Sequence, residues 1–162
     1  ASSVKGALAH RAAYHFNRLN GIFADKGAID AETVTGDQNT AVRALFGLAK
    51  DGGSGRRGRV MISDVFIDNA ARKVFNHVSI DRFTGGAIEG ALFSEEAIFS
   101  HQAVRLTVDV DNSAYGEHET VEQAFECALR DVCAGMLPLG GGVMRGHGCF
   151  SGTMKKNGEV FR

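Results

Sequence analysis

The sequence contains no tryptophan, one proline and three cysteines, and it carries no surplus of either charge. With 18 Lys and Arg against 19 Asp and Glu the formal net charge is −1. The molecule as a whole therefore casts no strong field, and a site for a polyanion has to come from local clustering. Cys127, Cys133 and Cys149 are an odd number and form no CxxC pair, which excludes a dense disulfide framework and the usual close-ligand zinc patterns. No apolar run is long enough for a signal peptide or a membrane span. These shortages together suit a reducing, cytoplasmic setting with no membrane partner.

What is present is a chain of 162 residues, 44% hydrophobic, long enough for one core. Residues 1–162 are expected to form a single domain, since no linker, repeat or low-complexity stretch divides them. Glycine is the compositional excess: 21 residues, where average usage would give about 11. It concentrates in DGGSGRRGR (51–59), FTGGAIEGA (83–91) and GMLPLGGGVMRGHGCFSG (135–152). Flexible turns are one reading of such clusters, and close approach of a ligand to bare backbone is the other.

Periodicity gives the elements. Val4, Ala7, Leu8, Ala12, Tyr14, His15, Phe16 and Leu19 recur at helical spacing behind a Ser-Ser pair, predicting a helix over about 3–20. Residues 21–39 read as a loop and 40–50 as a short second helix. Strands are expected over 59–68, with a bulge at Ser63-Asp64, over 73–81 and 91–100 around a Thr-Gly-Gly bend, and over 102–111, where Val104, Leu106, Val108 and Val110 alternate. Residues 118–134 predict a helix closed by Gly135, and Asn157-Gly158 predicts a hairpin turn between two short strands.

That order matches an α+β, ferredoxin-like (RRM-like) βαββαβ unit with an inserted hairpin and its first strand missing. The abrupt start at ASSVKG, without methionine, suggests a fragment of a longer protein. The first strand of such a sheet is central, so the gap is expected to be filled by another chain, a domain swap or a strand rearranged from residues 21–36.

Five blocks in order, SSVKGALAHR, LFG (45–47), GRRGRVMISDV (55–65), DRFTGGAIEGALFSEE (81–96) and LGGGVMRGHG (139–148), resemble the repeat-associated mysterious protein (RAMP) superfamily of CRISPR-associated proteins. The nearest likeness is to backbone subunits of type III effector complexes. The resemblance implies antiviral defence through a ribonucleoprotein in which guide RNA, target RNA and other RAMP subunits or domains are the partners. It also implies that target-cutting residues, an aspartate above all, lie in a loop upstream of the Ser-Ser-x-Lys-Gly block. Endoribonuclease activity is then a property only of the full-length protein or complex. No cofactor is expected in this chain, and a divalent metal belongs to target cleavage by the full complex.

The residues themselves agree with RNA binding. Ser2, Ser3 and Lys5 stand at a helix start, where free N–H groups and the helix dipole favour phosphate, with Arg11 further along the same helix. Gly140, Gly141 and Gly142 leave amides bare, Arg145 adds charge, and His147 can stack or donate a hydrogen bond. At the bend, Gly85 and Gly86 permit positive φ, Thr84 adds a hydroxyl, and Arg82 can reach a phosphate or pair with Asp81. The resemblance places this thumb-like insertion beside the RNA, with Phe83 as a wedge. Each feature has a plainer counterpart: a serine cap, a glycine-rich crossover, a salt-bridged bend with a packed phenylalanine. The competing enzyme reading is a RAMP ribonuclease that cuts target RNA with the upstream acid, or processes guide precursors through His10, His15 or His147. The carboxylate pairs Asp64/Asp68 and Asp109/Asp111 carry less weight, because alternating strands commonly expose solvated acids.

Overall fold

The computed structural model describes residues 2–23, 31–48, 55–68, 70–100 and 102–161. The chain divides into two compact units, one of residues 1–63 with 107–162 and one of residues 64–106.

The first unit is built around two long helices. Helix α1, Ser2–Leu19, follows its expected span within one residue. Helix α4, Val121–Cys133, places Val121, Ala124, Phe125 and Ala128 on one buried stripe, the spacing that a 3.6-residue period demands. Between them lie α2, Ala31–Val34, and α3, Thr40–Phe46. Leu8, Ala12 and Phe16 of α1, Ala41, Ala44 and Leu45 of α3, and Val60 join the α4 stripe in one core. The alanines matter because they let helix backbones approach closely, while Phe125 and Leu8 supply much of the buried volume. Helix α4 ends as expected: Gly135 has φ +74°, its N–H donates to the Val132 carbonyl at 3.2 Å and the Met136 N–H donates to the Asp131 carbonyl at 2.8 Å. This is the Schellman arrangement that a glycine past the last turn permits.

The sheet of this unit is a two-stranded antiparallel pair, β1 (Val60–Ile62) with β4 (Val108–Val110), in the register Val60↔Val110 and Ile62↔Val108. These apolar residues face the helices and Met61 faces outward. The connection helix, strand, inserted segment, strand, helix is that of the α+β, ferredoxin-like fold. Both strands are shorter than the alternation predicts. The Ser63 N–H still donates to the Thr107 carbonyl at 2.9 Å, but the Thr107 N–H donates to the Ser63 hydroxyl at 3.0 Å. A side chain thus takes a partner's place in the ladder, and pairing stops where a bulge was expected. Among the described residues no strand from 21–36 completes this sheet: 31–34 are helical, and 24–30 lie outside the described residues. A last hairpin, β5 (Met154–Lys156) with β6 (Glu159–Phe161), turns at Asn157 (φ 52°) and Gly158 (φ 91°), as Asn-Gly predicts.

The second unit is a long hairpin of β2 (Ala71–Ile80) and β3 (Ala87–Phe99), antiparallel from Ala71↔Phe99 to Val78↔Leu92 and irregular beyond. One face gathers Phe75, His77, Phe93 and Phe99, with the His77 ring stacked on Phe93 at 5.0 Å. The other face leaves Val74, Val78, Leu92 and Ile98 exposed.

Candidate nucleic-acid interface

Three groups of residues were singled out by their chemistry, and the structure gives each a different local setting. Helix α1 begins at Ser2 with no acid in its first turn, so the positive end of its dipole is uncompensated there. The Ser2 and Ser3 side chains lie outside the described residues. Lys5 is half-buried in the next turn and enters no ion pair among the described residues.

Arg11 has a different position from the rest of its group. Its Nε donates to Asp131 Oδ2, and the same oxygen lies 2.8 Å from His15 Nε2. Its guanidinium also lies over the Tyr14 ring, 4.7 Å from the centroid. Arg11 and His15 therefore brace α1 against α4 around a buried carboxylate. Burial raises the Asp131 pKa, but the hydrogen bonds and charges of His15 and Arg11 outweigh it and hold the carboxyl below its usual range. Asp131 was not among the residues singled out from the sequence. The signal was available in the period itself, which puts Asp131 three residues after Ala128 and seven after Ala124 on the buried stripe.

The bend at 81–86 is closely specified. Asp81 Oδ1 accepts the N–H groups of Phe83 at 2.7 Å and Thr84 at 3.1 Å, which lowers the Asp81 pKa. The Thr84 hydroxyl accepts the Gly86 N–H at 3.3 Å, and the Gly85 N–H closes on the Asp81 carbonyl at 2.9 Å with Gly85 at φ +70°. Asp81 is committed to the backbone, and no Arg82–Asp81 ion pair forms among the described residues. Arg82, Thr84, Gly85 and Gly86 are exposed, and Phe83 is 100% exposed. The Phe83 ring is thus left wholly to solvent, yet the turn that presents it is held by five hydrogen bonds, the fifth from the Asp81 N–H to the Gly86 carbonyl at 2.9 Å.

The glycine-rich segment forms a second built turn. Gly142 and Gly146, at φ +69° and +82°, flank a one-turn 3-10 helix, Val143–Arg145, and the Arg145 and His147 N–H groups both return to the Gly142 carbonyl. Gly148 lies so close to Leu139 that a Cβ would stand 2.0 Å from its carbonyl oxygen. The base of the turn is therefore locked, while Gly140, Gly141 and Arg145 are exposed and His147 is half-buried. Met144, which sequence reading passed over, is 97% exposed at the crest.

Among the described residues no three His, Cys, Asp or Glu side chains come together as a ligand set, and no helix is long and apolar enough to cross a membrane. No curated protein matches the chain. The protein-family model of the RAMP superfamily matches residues 1–151, a span that takes in α1, the hairpin bend and the whole glycine-rich turn. The chain therefore belongs to the RAMP superfamily, a family of CRISPR-associated RNA-binding proteins.

Proposed function

We propose that this chain is a guide-RNA-binding backbone module of a type III CRISPR complex that targets RNA in antiviral defence. Its partners are the guide, the target RNA and other RAMP subunits or domains in the cytoplasm. The observation that carries the reading is the bend: a fully exposed Phe83 beside an exposed Arg82, on a turn fixed by Asp81 and Thr84. An aromatic ring and a guanidinium held out together suit a single strand, because the ring offers a stacking face to any base and the charge holds the adjoining phosphate. The start of α1 and the glycine-rich turn supply backbone amides and charges, which contact phosphate and sugar without reading sequence. Lys5, Arg82, Arg145 and Phe83 are the side chains assigned to the RNA.

The test is binding of a fluorescent single-stranded RNA of about ten nucleotides to Phe83→Ala. Loss of one base stack removes about 1–3 kcal/mol, so the dissociation constant should rise at least about fivefold with an unchanged melting temperature. An unaltered affinity would remove the bend from the interface.

A further inference from the structure

The GRRGR stretch is the one conspicuously basic motif that the interface described above leaves unused. It folds back on the end of α3. The Arg56 and Leu48 backbones exchange hydrogen bonds of 2.8 and 2.9 Å, and the Arg59 N–H donates to the Leu45 carbonyl at 2.8 Å. This close pairing depends on glycine. A Cβ on Gly47 would stand 2.2 Å from the Arg56 carbonyl oxygen, and one on Gly58 would stand 2.6 Å from that of Phe46. The result gathers arginines from two segments at one place.

Glu117 holds two of them. Arg56 grips it with both terminal nitrogens, Nη1 to Oε2 at 2.9 Å and Nη2 to Oε1, while Arg59 Nη1 donates to Oε1 at 2.5 Å and to the Ala44 carbonyl at 3.2 Å. One carboxylate thus serves two guanidinium groups. Arg56 Nε, Arg59 Nε and Arg59 Nη2 have no acceptor among the described residues. Arg43, one residue before Ala44, is exposed and enters no ion pair there. Asp111, the other acid within electrostatic reach of Arg59, already accepts the Ser113 N–H at 2.9 Å. Among the described residues, three guanidinium groups against two carboxylates leave an excess of positive charge. Consistent with that crowding, burial and the charges of Arg59 and Arg43 lower the pKa of Arg56 despite its carboxylate partner.

We propose that Arg43, Arg56 and Arg59 form a second anion site, apart from the bend and the glycine-rich turn, that takes a backbone phosphate of single-stranded RNA. Glu117 is its positioning residue. It fixes two guanidinium forks in advance, so their ordering does not have to be met when the phosphate arrives. A phosphate rather than an acidic protein segment suits the site, because guanidinium N–H groups left over beside a shared carboxylate are charge-assisted donors and one phosphate offers several oxygens to accept them. The inference rests on the RNA-binding reading above.

Arg43 is the residue to test, because it is exposed and its loss leaves the Glu117 brace intact. Affinity for a labelled ten-nucleotide RNA is measured between 50 and 200 mM salt for the protein and for Arg43→Ala, Arg43→Glu and Arg43→Lys. Arg43→Ala should weaken binding severalfold at low salt and reduce the slope of log affinity against log salt by about 0.7, the value for one single-strand phosphate contact. Arg43→Glu should weaken it further, and Arg43→Lys should restore the slope. Unchanged affinity and slope in Arg43→Ala and Arg43→Glu, with the parent protein binding RNA, would overturn the site and leave the RNA reading standing. Two probes separate the other outcomes. If the parent binds no RNA but inorganic phosphate shifts the Arg56 and Arg59 side-chain NMR signals, the anion site survives and its RNA assignment is overturned. Competition by an acidic decapeptide as strong as that by unlabelled RNA of equal charge would reassign the site to a protein partner and overturn the proposal.

Discussion

Asp131 is 5% exposed and holds Arg11 and His15 on one oxygen. Replacing it by Asn keeps the shape and removes the charge, leaving two cationic or polar groups in a low-dielectric setting without their counterion. Breaking a buried pair this way costs about 3 kcal/mol. Asp131→Asn should therefore lower unfolding free energy at pH 7 by that order in a denaturant titration. The pH dependence follows from the depressed folded-state pKa of Asp131. The stabilisation is fully present above the unfolded carboxyl value, about 3.9, and is lost as pH falls through the lower folded value. The gap between parent and variant should then narrow below about pH 4. A gap that stays constant down to pH 2 would contradict the pairing. At the same scale, Asn39 is a buried polar residue that sequence reading did not find. Its Oδ1 caps α3 at the Ala41 and Val42 amides, and its Nδ2 reaches Asn17 Oδ1 at 2.9 Å and the Val34 carbonyl at 3.1 Å. Its capping contacts are local, two and three residues away, but its burial is not legible locally, because its Nδ2 partners lie 22 and 5 positions away.

Elements were legible in proportion to how far local pattern decides them. The 3.6 period gave α1 within a residue and α4 with a start three residues too early, and Asn157-Gly158 gave its hairpin, because each rests on contacts within a few residues. Strand lengths were not legible. Val65 and Ile67 resume the alternation of Val60 and Ile62 one residue out of phase, as a bulge at Ser63-Asp64 would allow, but pairing is set by the partner strand, and the Ser63 hydroxyl ends it. The glycine excess was legible as placement, not as role. Gly47 and Gly21 both have positive φ, +84° and +64°, yet only Gly47 has backbone where a Cβ would stand, while Gly21 has open space. Gly47→Ala should cost about 3 kcal/mol from strain and overpacking together, lowering the melting temperature by about 10 °C in a chain of this size. Gly21→Ala carries only the conformational part, about 1 kcal/mol. Equal effects in thermal unfolding would show that close packing under α3 is not what requires glycine.

For the whole molecule, net charge and patch charge point different ways. A formal charge of −1 gives no general attraction to nucleic acid, so the proposed RNA binding rests on local groups, assigned above to Lys5, Arg82, Arg145 and Arg43–Arg56–Arg59. Of that set, the bend and the glycine-rich turn were visible in the sequence as glycine beside arginine. The arginine group was not assigned a role, because its geometry depends on Glu117, which is 58 residues from Arg59 along the chain. Contacts of this kind bind phosphate and sugar and leave the base edges unread. The most direct measurement is therefore the affinity of the protein for two ten-nucleotide RNAs of equal composition and scrambled order, each titrated from 50 to 200 mM salt. The account predicts matching affinities for the two sequences and a steep, parallel loss with salt, at about 0.7 in log slope for each phosphate engaged. Affinity that is indifferent to salt, or that differs by orders of magnitude between the two sequences, would contradict it.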